Sequence, residues 1–422
     1  MPIDRITDNR KWKAIDDLWK EAFDDNVAAL TVTSDPRQSD AFGRVRVSDP
    51  NTRLDTEFLY DKQTEFFDET TTNGTVTHNA ASRDLTLSLG DANDGSFAKM
   101  ASYPVPYTPG NSQLIDITGV LDLAGIGGGT AELFFRTNIT GSVVTTSYPQ
   151  SSWIDLKSGV DWTTSHILAM DFQSLKVGRI RFAMVKDGKA RPIYEIYNDN
   201  VRNTGYWQIA NGSCYWHLYT TGGNTYMEMG YGNESNAIGL RYVISANASA
   251  TMKAICCTVK SEGGSPLREL AGLSRSVSNG VTSVTASTTL VPILSIRPQA
   301  TFNSLPNLVL SIPKGYSVET DNPIRLALIH DGILTGASWS AVNSTSTMEY
   351  DVSASAITGG HELKIEYLGA GRNQTFSAAG FLGKVAMWDR QGTETGIITI
   401  AAVRTGTSDA SVLAAIDWEE LR

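Results

Sequence analysis

Along most of the chain apolar and polar residues alternate singly, in short runs such as DLTLSL (84–89), QLIDITGVLDL (113–123), TAELFFRT (130–137), RIRFAMV (179–185), IGLRYVI (238–244) and IRLALI (324–329). A strand sends successive side chains to opposite faces, so each run predicts a half-buried strand. The runs are punctuated by NG at 73–74, DG at 94–95, DG at 187–188, NG at 279–280 and DG at 331–332, the strongest short-range hairpin signals. Strands at this density without intervening helices predict a mainly β chain of antiparallel, jelly-roll-like sandwiches.

One segment departs from period two. In TDNRKWKAIDDLWKEAFDDN (7–26), Trp12, Ile15, Trp19 and Phe23 recur at helical spacing behind Thr7 or Asp8 as N-cap. About five turns are marginal in isolation, so this amphipathic helix needs a surface, either the chain's own body or a partner groove. A polar arm follows it. The glycines, proline and serines of SEGGSPLRELAGLSRSVSNG (261–280) interrupt the strand pattern and mark a domain boundary. The expected organisation is a docking helix and arm (1–40), a large sandwich (41–265), a linker (266–284) and a smaller sandwich (285–422). No repeat of 20–50 residues is visible, which argues against a parallel β-helix.

The 422 residues are enough for several domains, and 35 Lys+Arg against 45 Asp+Glu give a net charge of −10. That balance repels the phosphate backbone, so no nucleic-acid partner is expected. Cys214, Cys256 and Cys257 form an odd set, and adjacent cysteines in a strand point apart, which predicts buried free thiols in a reducing cytosol. The start is polar, and no apolar run approaches the roughly 20 residues of a membrane span, so neither a secretory signal nor membrane insertion is expected.

Candidate chemistry is sparse. The possible bases His78, His166, His217, His330 and His361 sit in no nucleophile, zinc or phosphate-loop motif, and nothing selects a glycosidase carboxylate pair. GIGGGT (125–130) lies between strands and reads as a hairpin connection. GDANDGSF (90–97) has its glycine one place early for a calcium loop and reads as a polar turn. No His or Cys pair falls at ligand spacing, so no catalytic residue, metal or cofactor is expected.

Two stretches repeat the order Gly-Arg-apolar-Arg-apolar: FGRVRV (42–47) and VGRIRF (177–182). In each, the arginines share one face of a strand. Arg179 and Arg181 read as surface residues matched by acids across strands, each pair contributing up to about 1 kcal/mol. Arg44 and Arg46 adjoin the arm and are candidates for docking. The stretch GYWQIANGSCYWHLYTTGGNTYMEMGYGN (205–233) concentrates aromatic residues. Its Tyr206, Trp207, Tyr215, Trp216 and Tyr219 form either an extra hairpin packed at the periphery of the sandwich or an exposed recognition surface.

DAFGRVRVSDPNTRLDTEFLYDKQ, VGRIRFAMVKDGK, GLRYVI and MKAICCTVKSEGG together resemble a family of tailed-bacteriophage virion structural proteins. The matching blocks are Ala41 to Thr52, Val177 to Lys189 and Cys256 to Gly264, within the first two-thirds of the chain. The resemblance implies a non-enzymatic virion component of fibre, head-decoration or neck–tail type, made in the host cytoplasm. Its partners would be other copies of itself, expected as a trimer, and capsid, collar or tail proteins. Docking is assigned to Trp12, Ile15, Trp19, Phe23, Arg44 and Arg46. The aromatic stretch keeps a second reading open, a carbohydrate-binding tail-fibre adhesin contacting a host glycan. A glycan depolymerase is a third and weaker one.

Overall fold

A computed structural model describes residues 51–64, 66–90, 93–105, 107, 111–122, 128–138, 142–173, 177–199, 201, 203–207, 211–261, 273–307, 309–377 and 396–421. The expected N-terminal helix and arm, with Trp12, Ile15, Trp19, Phe23, Arg44 and Arg46, lie outside them. The described chain is mainly β, in antiparallel sheets arranged as sandwiches. Among the described residues the only helical turn is Gln150–Ser152, and no helix is long and apolar enough to cross a membrane. The chain divides into two compact units, residues up to 264 and residues from 265 onward.

Two sheets face each other in the first unit. One holds β1 (Asn51–Glu57), β3 (Gly74–Asn79), β4 (Asp84–Leu89), β6 (Gln113–Asp122), β9 (Ser165–Phe172), β10 (Ile180–Lys186), β11 (Lys189–Ile196) and β15 (Thr251–Ser261). Its order is β11-β10-β9-β6-β15-β4-β3, with β1 also paired to β15. The other holds β2 (Phe67–Thr72), β5 (Phe97–Ser102), β7 (Thr130–Asn138), β8 (Val143–Pro149), β12 (Ser213–Thr221), β13 (Asn224–Gly232) and β14 (Ala237–Ile244), in the order β2-β5-β12-β13-β14-β7-β8.

Single alternation builds the space between them. Leu85, Leu87, Ile115, Ile117, Met170 and Phe182 from the first sheet pack with Leu133, Phe135, Trp216, Leu218, Met227, Met229 and Leu240 from the second. Trp216 also spans the layers, its indole Nε1 donating to the Thr118 carbonyl at 3.1 Å. The DG turn at 187–188 closes the β10–β11 hairpin with φ of 53° and 73°, the left-handed pair that a two-residue turn between right-twisting strands requires. Gly222 and Gly223, at φ 58° and 75°, do the same for β12–β13.

The second unit also has two main sheets. One orders Leu273–Ser278, Ala410–Leu421, Leu310–Thr320 and Arg372–Ser377, with Val284–Ala286 also paired to Ala410–Leu421. The other runs Ser340–Ala341, Met348–Asp351, Val291–Pro298, Ile398–Arg404, Ile324–His330, His361–Leu368. Leu294, Ile296, Leu326, Leu328 and Ile400 of one meet Tyr316, Val318, Val412, Ile416 and Trp418 of the other.

Three expectations need correction. Part of the expected linker 266–284 is strand: Leu273–Ser278 pairs along Ala410–Leu421. Its serines hid it, because an edge strand on so long a partner is held by backbone hydrogen bonds more than by apolar side chains. GIGGGT does not close a hairpin, since β6 and β7 belong to different sheets. The aromatic stretch is not peripheral, because β12 and β13 are interior strands of the seven-stranded sheet.

Candidate functional site

With Trp216, Leu218, Met227, Met229 and Leu240 committed to the core, alternation turns the intervening residues of β12, β13 and β14 to the outer face of the seven-stranded sheet. Register then aligns Glu228 with His217 on one side and Arg241 on the other, and Arg241 with Glu132 of β7. Charged and aromatic groups from four adjacent strands form one layer.

Glu228 is at its centre and is fully buried. Arg136 Nη2 donates to both of its carboxylate oxygens, at 3.0 and 3.3 Å, and Tyr219 OH donates at 2.8 Å. Arg241 lies 3.6 Å from Glu228, is also paired with Glu132, and donates to Ser147 Oγ at 2.8 Å. Arg136 and Arg241 both stand over the Phe134 ring, at 5.2 and 5.8 Å, and Lys99 stands over Tyr215 at 5.4 Å. Cationic heads thus cover aromatic rings, which is why Phe134 and Tyr215 are buried on an outward face. Beside them His217, Tyr219 and Tyr226 stack in a row, with centroids 4.4 and 4.9 Å apart.

Electrostatics follow from the packing. Burial, and then the nearby Lys99 ammonium, pushes the His217 imidazole down to about 3, so it is neutral at physiological pH. Burial and the Glu228 charge drive the Tyr219 hydroxyl upward. Burial alone lowers the Arg136 guanidinium, but the fields of Tyr215 and Glu228 outweigh it and raise it. Glu228 faces two guanidiniums and two phenols at once, a setting that holds a charge in place rather than one that passes a proton. The layer offers a rigid plate of ring edges, hydroxyls and guanidinium donors.

Of the five aromatic residues read as either a packed hairpin or a recognition surface, only Tyr219 keeps partial exposure on this face. Tyr206 and Trp207 are buried, with Trp207 Nε1 donating to the Arg136 carbonyl at 3.2 Å and its ring against Phe172 at 5.3 Å. Trp216 packs on Phe58 at 5.7 Å, and Tyr215 lies under Lys99. For these four the packed reading holds and the displayed one does not, because the burial of rings this large outweighs any gain from display. Glu228, Arg136, Arg241 and Glu132 were missed, and His217 was weighed only as a possible base. The available signal was a Glu between Met227 and Met229, where alternation with two core methionines sets it on the opposite face with neighbouring arginines.

The arginine pair of the middle motif is also placed. Arg179 Nη1 donates to Glu195 at 3.2 Å on a half-exposed surface, as expected. Arg181 is 8% exposed and paired with the buried Asp171, so it is not a surface residue. Among the described residues, no group of three or more His, Cys, Asp and Glu is placed to hold a metal ion.

No protein-family model matches the chain, and no curated protein matches it closely enough to count as a relative. Among solved structures, an endo-1,3-beta-glucanase from Streptomyces sioyaensis covers 51% of this chain and 97% of its own, at 8% identity and a TM-score of 0.23. Lectin II from Ulex europaeus covers 50% and 100%, at 9% identity and 0.21. The CBM22-1–CBM22-2 tandem domain of Paenibacillus barcinonensis Xyn10C covers 89% and 98%, at 9% identity and 0.22. TM-scores this low leave fold and function to be argued from the chain's own geometry.

Proposed function

We propose that the chain is a non-enzymatic structural protein of a tailed-bacteriophage virion, carried on the particle as an oligomer with its sandwich units displayed. The observation that carries this reading is where the motif residues fall. The block from Val177 to Lys189 contains β10 and its hairpin turn, and Arg181 is spent on a buried pair with Asp171 of the neighbouring strand. The described part of the block from Cys256, residues 256–261, lies on β15, to which β1, β4 and β6 all pair. The described residues of these two blocks therefore serve the framework, as suits a protein whose task is to hold a shape. Docking is assigned to the segment carrying Trp12, Ile15, Trp19, Phe23, Arg44 and Arg46 on the strength of its sequence. Particles lacking the native copy should rebind the full chain and should fail to rebind one lacking residues 1–30; full-occupancy binding of the truncated chain would contradict the docking assignment.

A second reading, a carbohydrate-binding adhesin, is favoured by the rigid polar and aromatic plate around Tyr219, Tyr226 and Arg241. Such a plate suits hydroxyl-rich ligands. Binding to a glycan array that is lost on Tyr219→Ala, with folding intact, would support it. No binding to any glycan would leave the structural reading alone.

A further inference from the structure

Met184 of β10 is a core residue, and Arg191 of β11 is its partner in register. Lys186, two residues beyond Met184, takes the same face. At this end of the hairpin the inward face therefore changes from apolar to cationic. The chain after β8 packs against it: Trp153 and Leu156 are buried, Ile154 N donates to the Ile193 carbonyl of β11 at 2.8 Å, and Gln150 Nε2 donates to the Leu156 carbonyl at 2.8 Å. Between the two lies a cavity of about 410 Å³, lined by residues 154–158 with Lys186, Asp187 and Arg191. That volume suits a small ligand. We propose that this cavity binds the carboxylated unit of an acidic saccharide. The site goes beyond the virion assignment and is separate from the plate around Tyr219, none of whose residues lines it.

The lining selects the ligand. In a chain of net charge −10, the cavity sets Lys157, Lys186 and Arg191 against Asp155 and Asp187. Asp155 is already engaged, accepting from Leu156 N at 2.7 Å and pairing with Arg191 Nη1 at 3.3 Å. Lys157 and Lys186 have neither a hydrogen bond nor an ion pair with any described residue. The Arg191 Nε–H is buried with no acceptor among the described residues. The guanidinium can therefore turn toward a ligand with only its contact to Asp155 to lose.

Three cations fit one ligand carboxylate. Asp155 and Asp187 oppose a second negative charge and accept protons from hydroxyls, which favours a singly charged sugar over a phosphate dianion. Ile154, 64% exposed, adds an aliphatic surface for the C–H face of a sugar ring. Leu156 holds a left-handed φ of 54°, a strained conformation kept in place by its burial and by Gln150, so this wall is preformed.

The test is isothermal titration calorimetry of the full chain with glucuronate, galacturonate and N-acetylneuraminate, against glucose, galactose and inorganic phosphate. At least one acidic sugar should bind, more weakly at high salt, while glucose and galactose do not. Lys157→Gln combined with Lys186→Gln should weaken that binding about tenfold or more with an unchanged melting curve, and Tyr219→Ala should leave it intact. Binding of none of the acidic sugars, equal binding of the neutral ones, binding of phosphate alone, or full affinity in the double lysine variant would overturn the proposal. So would loss of binding on Tyr219→Ala, which would place the sugar on the plate instead.

Discussion

Arg181 of β10 and Asp171 of β9 stand opposite each other in register and form an ion pair that is almost wholly out of water. Ser112 Oγ donates to the other Asp171 oxygen at 2.7 Å. Removing the cation leaves a buried carboxylate stripped of its paired charge. Arg181→Ala is therefore expected to cost about 3–5 kcal/mol, and Arg179→Ala, which loses only the half-exposed contact with Glu195, less than about 1 kcal/mol. Urea denaturation of both variants measures the difference; equal effects would place the two arginines in the same environment.

Trp207 and Trp216 make the same kind of prediction for the aromatic stretch. Each is buried and each donates its indole N–H to a backbone carbonyl, Trp216 across the two sheets. Replacement of either by Ala should destabilise the protein by about 3–5 kcal/mol through lost contact and a residual cavity. A melting curve unchanged from the parent would return these rings to the surface.

Glu228→Ala removes the shared acceptor of Arg136, Arg241 and Tyr219. Because Glu132 still holds Arg241, the stranded charge is mainly Arg136, and the expected loss is about 3 kcal/mol. A double-mutant cycle with Arg136→Met should recover a large coupling between the two sites. Additive effects would mean that they act independently.

How far the sequence reveals this molecule depends on what each residue must do. Single alternation in TAELFFRT and IGLRYVI exposed the strands, and DG at 187–188 marked a turn because few other pairs tolerate two left-handed residues. The same alternation assigns faces within a strand but not between strands, so the convergence of Glu228, Arg241, Glu132 and Arg136 on one face depended on a register that no local pattern encodes. Arg181 misled for a related reason. An arginine alternating with Ile180 and Phe182 reads as solvent-facing until the sheet places Asp171 and Ser112 beside it. Leu273–Ser278 was hidden because its partner, not its own composition, makes it a strand.

Stability should fall on mild acidification. Burial lowers the His217 imidazole to about 3 and lowers His166 as well. Both are neutral in the fold, while the unfolded chain protonates them below its ordinary value near 6.5. Their contribution is complete above about pH 6.5 and is lost as pH drops from there toward 3, by up to about 1.4 kcal/mol per pH unit for each proton taken up on unfolding. Between pH 6.5 and 5, where ordinary carboxylates remain ionised, His217→Gln should flatten the fall in denaturation midpoint. An unchanged slope would mean that His217 does not titrate differently in the folded and unfolded states.

The central claim is that this chain is part of a particle. The most direct test is quantitative mass spectrometry of density-purified virions from a lysate in which the chain is made, with the soluble fraction as comparison. The account predicts peptides from both sandwich units in the virions at a fixed copy number relative to the capsid protein. Full recovery in the soluble fraction, with none in the particles, would contradict it.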